Sequence, residues 1–221
     1  VIEGDSTMQK RRDEDEPVEI AIVGDLTDSE ADLTDRLLSV EPGGECTIYF
    51  DSPGGSPYCA VSLMTLIQLR DIRATGIVTG ECSSATLWPF AACRRRIVTP
   101  YSVMLFHPMR WQSEENVGLA EAAEWARHFG HLEQEMDELL AHLFGVSPSL
   151  MHEWINPGRY VIGRELADAG MAELVELDKL HRVPFARLMN EPRLAAPPII
   201  RPHAARRLRK APAAKSQKKS K

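Results

Sequence analysis

No apolar run in this chain approaches the roughly 20 residues that a membrane-spanning helix requires. The beginning of the chain lacks the apolar core of a secretory signal, since Met8-Gln9-Lys10-Arg11-Arg12 leads into acidic residues. A cytoplasmic protein with no membrane partner is the expectation. Cysteine is scarce too. The four present (Cys46, Cys59, Cys82, Cys93) form no CxxC and no His/Cys ligand spacing, which points to reduced, partly buried thiols. The histidines form no HExxH motif, so neither a metal nor any other cofactor is expected. What remains is ordinary for a globular domain: 221 residues, 43% apolar and 26% charged, enough chain to bury a substantial core.

Charge is unevenly spread. From Arg187 onward there are eleven lysines and arginines against one acid, Glu191, a net charge of +10, which leaves the rest of the chain at −16 within a total of −6. This stretch carries five prolines and ends Lys218-Lys219-Ser220-Lys221. Such a composition buries too little apolar surface to fold alone. No aromatic side chains interleave with the basic ones for base stacking, so nucleic acid is not an expected partner. Three segments follow: a flexible N-terminal stretch over 1–17, a folded domain over 18–186 and a disordered basic tail over 187–221.

The body alternates between strand and helix signals. Val18 to Val23 reads as a strand ending at Gly24, and Thr27 with Glu30 makes a capping-box signal for a helix through about Leu38. Strands are expected at Cys46 to Phe50, around Ile77-Val78, near Ile97-Val98 and at Val103 to Phe106. A helix is expected from Tyr58 to Ile72. The clearest one follows later, where Ala122, Trp125, Phe129, Leu132, Met136 and Leu139 recur in steps of three and four. Ser147-Pro148 reads as an N-cap with proline at the first helical position. Alternating strands and helices predict an α/β domain whose strands are largely parallel.

Three places in that pattern carry chemistry. In Gly80-Glu81-Cys82-Ser83-Ser84-Ala85-Thr86 an apolar strand meets small residues and then a helix, a setting that lifts the Ser84 hydroxyl clear of the backbone at a helix N-terminus. His107 ends the apolar run Val103-Met104-Leu105-Phe106 and projects from a strand end. Asp51-Ser52-Pro53-Gly54-Gly55 follows the strand-like Thr47 to Phe50 and offers backbone N–H groups. Nucleophile, general base and oxyanion donors are thus all available.

These segments, with Arg159-Tyr160 and Glu165-Leu166-Ala167-Asp168-Ala169-Gly170-Met171, occur in the order and near the spacing of one family. Over roughly residues 18–177 the chain resembles ClpP, the proteolytic subunit of the ATP-dependent Clp protease. The resemblance implies a ClpP/crotonase-like spiral of β-β-α units with a protruding handle helix over the 122–143 stripe. It also implies a serine endopeptidase working in an oligomeric ring, homomeric or heteromeric, fed protein or peptide substrates by an AAA+ unfoldase. On this resemblance Ser84 is the nucleophile, His107 the general base, and the amides of Gly55 and Ala85 hold the oxyanion.

The sequence departs from the family at three points. Where the family places its third triad member, an aspartate, this chain has Gly158, preceded by Asn156-Pro157. Asn156 is the candidate replacement, orienting His107 through its side-chain oxygen as asparagine does in papain-like sites; Glu153 is a weaker one, and the segment also reads as a simple turn. Pro89, five residues after Ser84, is expected to kink its helix. Met109-Arg110-Trp111 replaces a glycine-containing stretch that lines the family's peptide groove. Two alternatives to an active peptidase follow: a weak or inactive structural subunit of a Clp-type ring, and an acyl-transfer enzyme of the same fold that needs no unfoldase.

Overall fold

The computed structural model describes residues 18–111 and 116–178. The expected N-terminal segment, the end of the expected domain and the basic tail lie outside the described residues. Three strands rich in β-branched and aromatic residues open the domain: β1 (Val18–Asp25), β2 (Glu45–Gly54) and β3 (Arg73–Cys82). Helix α1 (Leu26–Ser39) follows β1, and α2 (Pro57–Leu69) follows β2. After β3 the chain makes a 3-10 turn (Ser84–Thr86) and continues into α3 (Leu87–Ala92). Strands β4 (Arg95–Val98) and β5 (Val103–Phe106) precede the long α4 (Leu119–Phe144). The described chain closes with α5 (Pro148–Ile155), β6 (Arg159–Ile162), α6 (Gly163–Asp168) and β7 (Glu173–Leu174).

Two expectations about helix starts are corrected. The cap of α1 is Asp25, whose carboxylate accepts from Thr27 N at 2.8 Å, so the helix starts ahead of Thr27. Pro89 is the third residue of α3 and lies in its first turn, whose N–H groups lack intrahelical acceptors in any case. It therefore falls where the missing donor matters least. Ser147 caps α5 ahead of Pro148, as expected; α2, expected from Tyr58 to Ile72, has the same arrangement, with Ser56 as its cap and Pro57 first, and ends at Leu69.

Strands β1, β2, β3, β4 and β7 form one parallel sheet in the order β1-β2-β3-β4-β7. Near its end β3 shifts register against β2 and takes a second partner. The register with β2 shifts between Phe50 and Ser52, so that Phe50 faces Val78 but Ser52 faces Cys82. The Asp51 carboxylate accepts from Glu81 N at 3.1 Å and satisfies an amide that the shift displaces from the ladder. Gly80 fits there because a Cβ would lie 2.4 Å from the Asp51 carboxylate. Beyond the shift, β3 pairs in parallel with β5 at Glu81 and Val103, and β5 pairs antiparallel with β6.

Aromatic side chains join the layers. Phe50 of β2 meets Phe90 of α3 edge-on at 5.3 Å; Phe90 and Phe106 both meet Phe144 of α4 at 6.3 Å; and Phe106 meets Trp154 of α5 at 5.2 Å. Each such side chain, fully buried, contributes about 1.5–3 kcal/mol. Phe106 is fully buried in this chain of rings. It anchors the residue just before His107.

Candidate active site

Residues 54, 84 and 107 each lie at or just past the C-terminal end of a strand, the edge at which open parallel sheets gather ligands and reacting groups. The turn carrying Ser84 is fixed by its neighbour. Ser83 N donates to Ser52 O at 3.0 Å, the Ser83 hydroxyl accepts from Leu105 N at 2.9 Å, and Ser83 O accepts from the Thr86 hydroxyl at 2.6 Å. One buried serine thus ties the turn to β2, to β5 and to itself. Ser84 then takes a positive φ of 54°, a conformation that ordinarily costs a non-glycine residue on the order of 1 kcal/mol. The tethered turn holds that strain and directs the hydroxyl toward β5.

His107 meets it. Its Nε2 lies 2.8 Å from Ser84 Oγ. Its Nδ1 lies 2.6 Å from the backbone oxygen of Pro108. A carbonyl only accepts, so Nδ1 carries the proton and Nε2 is left as the acceptor for the serine hydroxyl. That is the tautomer a general base requires.

Gly54 permits the close approach of β2. With φ +117°, a Cβ there would sit 2.7 Å from Ser84 Cβ and 3.2 Å from Ala85 N. Gly55 follows with φ +138°, and a Cβ on it would overlap the Asp25 carboxylate at 2.4 Å. Gly54 thus brings the end of β2 against the turn that carries Ser84 and Ala85, while Gly55 packs against Asp25.

Asn156 is not brought to His107. It caps α5, is exposed, and its amide lies 3.1 Å from His152 Nδ1. The expectation that it orients His107 is not met in this arrangement, because the Pro108 carbonyl occupies Nδ1. Glu153 is exposed on α5. The β5–β6 register, in which Phe106 faces Arg159, puts Gly158 opposite His107. A Cβ on Gly158 would lie 3.1 Å from His107 Cβ, and its φ is +117°. Position 158, where the resemblance leads one to expect an aspartate, is therefore packed closely against His107.

Sequence reasoning missed the Pro108 carbonyl, because a backbone acceptor has no residue-type signature. It also missed Glu133 of α4, whose carboxylate accepts from Met109 N at 2.8 Å. The 108–111 segment is further held by Trp111, stacked on Phe129 at 3.7 Å and 10°. Beside His107, Leu105, Arg110, Pro157, Gly158 and Tyr160 line an open cleft of about 400 Å³.

The other nucleophile types are set aside by their surroundings. Burial pushes the Cys46 and Cys59 thiols up to about 11, and those of Cys82 and Cys93 further, away from the reactive thiolate. All four are free and buried. Among the described residues no helix is long and apolar enough to cross a membrane.

A serine–histidine pair at the strand ends of a mostly parallel α/β sheet, flanked by a long helix, defines a Clp-protease-like fold, and comparison with known proteins agrees. A mutant form of ClpP1 from Listeria monocytogenes superposes with a TM-score of 0.63 at 20% identity, covering 79% of this chain and 99% of that one. The ATP-dependent Clp protease proteolytic subunits of two strains of Bacteroides fragilis are 26% identical over 147 residues, 65% of this chain and 69% and 65% of those relatives. That of Bacteroides thetaiotaomicron is 37% identical over 76 residues, 33% of this chain and 34% of its own length. No protein-family model matches the sequence. The chain thus has a ClpP-like fold and a sequence similar to those of Clp protease proteolytic subunits.

Proposed function

We propose that this protein is a serine peptidase that cleaves peptide bonds through an acyl-enzyme on Ser84. The observation that carries this reading is the 2.8 Å contact between Ser84 Oγ and His107 Nε2, with the Nδ1 proton held by the Pro108 carbonyl. His107 takes the hydroxyl proton as Ser84 Oγ attacks the substrate carbonyl, then gives it to the leaving amine; water repeats the sequence and frees the acid. The amides of Gly55 and Ala85 stabilise the tetrahedral oxyanion, each donor being worth about 3 kcal/mol of the barrier. The cleft lined by Arg110 and Tyr160 accommodates the peptide beside His107. By likeness to the Clp proteolytic subunits, the working form is a ring fed by an AAA+ unfoldase.

A carbonyl in place of a carboxylate changes the rate rather than the chemistry. The large loss seen when a triad aspartate becomes asparagine, about 10⁴-fold, comes from the wrong histidine tautomer. Here the tautomer is correct, and what is lost is the negative charge beside the imidazolium. Turnover slower than with a full triad, but not abolished, is the consequence. Hydrolysis of a short fluorogenic peptide by the assembled protein tests the reading. Loss of that hydrolysis by at least 10²-fold in His107→Ala supports it, and an unchanged rate in that variant contradicts it.

A further inference from the structure

The Pro108–Met109 peptide unit is engaged at both ends. Its carbonyl oxygen lies 2.6 Å from His107 Nδ1, and its N–H donates to the Glu133 carboxylate at 2.8 Å. We propose that Glu133, reaching in from α4, is a positioning residue that takes over the electrostatic part of the absent triad aspartate by acting on His107 through this one peptide group. The proposal rests on the assignment of His107 as general base.

The physics is that of a polarised amide. The N–H and C=O of a peptide share one delocalised system, so a carboxylate bonded to the N–H shifts electron density onto the carbonyl oxygen. Hydrogen bonds in series strengthen one another in this way by about 10–30% each, and a bond to an ionised acceptor is about twice as strong as a neutral one. The carbonyl that faces the imidazole is thereby made more negative just where an imidazolium forms as Ser84 is deprotonated. No proton moves along this path. The Nδ1 proton stays on His107, and the only transfer is from Ser84 Oγ to Nε2.

The placement of Glu133 suits this role. Phe129, one turn earlier on α4, stacks on Trp111, so the same helix face holds both ends of the 108–111 segment. Glu133 lines a cavity of about 470 Å³ together with Pro108. Facing Glu133 there are Asp137 and Glu138 from its own helix and His152 from α5, while Arg110 lies on the His107 side. Glu133 is the member of this set that the Met109 amide contacts. The neighbouring acids add to the negative field without touching the peptide.

Titration of His107 by NMR in the 221-residue chain, labelled at histidine Cε1 and assigned by a His107→Gln variant, tests the proposal without requiring turnover. In Glu133→Gln the side-chain oxygen still accepts from Met109 N but the charge is gone. The imidazolium pKa of His107 is expected to fall by about 0.5–1 pH unit, and the low-pH limb of the Ser84 acylation profile to move with it. Glu133→Asp is expected to restore part of the shift, and Glu138→Gln to leave the titration as in wild type. A wild-type titration in Glu133→Gln overturns the proposal, as does an equal shift in Glu138→Gln, which would make the effect a general field. If Ser84 fails to acylate while the His107 titration still follows Glu133, the peptidase reading falls and the relay stands.

Discussion

Ser84, His107 and Gly158 form the smallest unit on which the account rests, and their constraints are steric as much as chemical. Gly158 has φ +117° and a Cβ there would press on His107 Cβ at 3.1 Å, so restoring the family's aspartate by Gly158→Asp is expected not to restore the triad. Backbone strain of about 1–3 kcal/mol should instead lower the melting temperature, with no gain in the rate of serine acylation. A faster acylation rate in that variant would contradict this geometry. Asn156→Ala is expected to acylate at the wild-type rate, because its amide faces His152 and not His107; a slowed rate would restore it as an orienting group. Ser84 and His107 were legible from their positions at strand ends. The Nδ1 partner was not, since it is a backbone oxygen supplied by the next residue, and the polar side chains that suggested themselves, Asn156 and Glu153, belong to α5 and its cap.

At the scale of elements, α4 does more than its apolar stripe suggests. Trp88 of α3 donates to Met136 O at 3.2 Å, and Glu133 holds the segment after His107, so α4 braces both the nucleophile's helix and the base's loop. Asp137 lies on the same helix, and burial, helped by the nearby Glu133, pushes its carboxyl up from 3.8 to about 6. A carboxyl whose pKa is higher folded than unfolded stabilises the fold at low pH, and that contribution is lost as pH rises from about 4 through 6. Asp137→Asn should therefore flatten the stability profile over that range. At pH 7 it should raise stability by about 1–2 kcal/mol after discounting for solvent screening, as read by chemical denaturation. An unchanged profile would mean the group is solvated. The stripe on α4 was plain in the sequence because helical spacing repeats along it, from 119 to 144. The charged residues between its apolar members carried no sign of which faced the site, since that depends on where a distant loop docks.

For the whole molecule, the alternation of strand and helix was enough to place the parallel sheet, and the motifs put Ser84 and His107 at strand ends, where the structure brings them together. What the pattern could not convey is the change of register between β2 and β3 at Asp51, because a register shift depends on a cross-strand contact rather than on local spacing. Likeness to ring-forming subunits carries a further expectation. The purified 24.7 kDa chain should behave as a multiple of that mass, and mass photometry returning only monomer would count against an enclosed chamber. The central claim is narrower, that Ser84 is an activated nucleophile. Intact-mass analysis after treatment with a fluorophosphonate tests it most directly. One adduct per chain, located on Ser84 and absent from Ser84→Ala, is the expected result; a protein that remains unmodified, or one modified equally in Ser84→Ala, would contradict it.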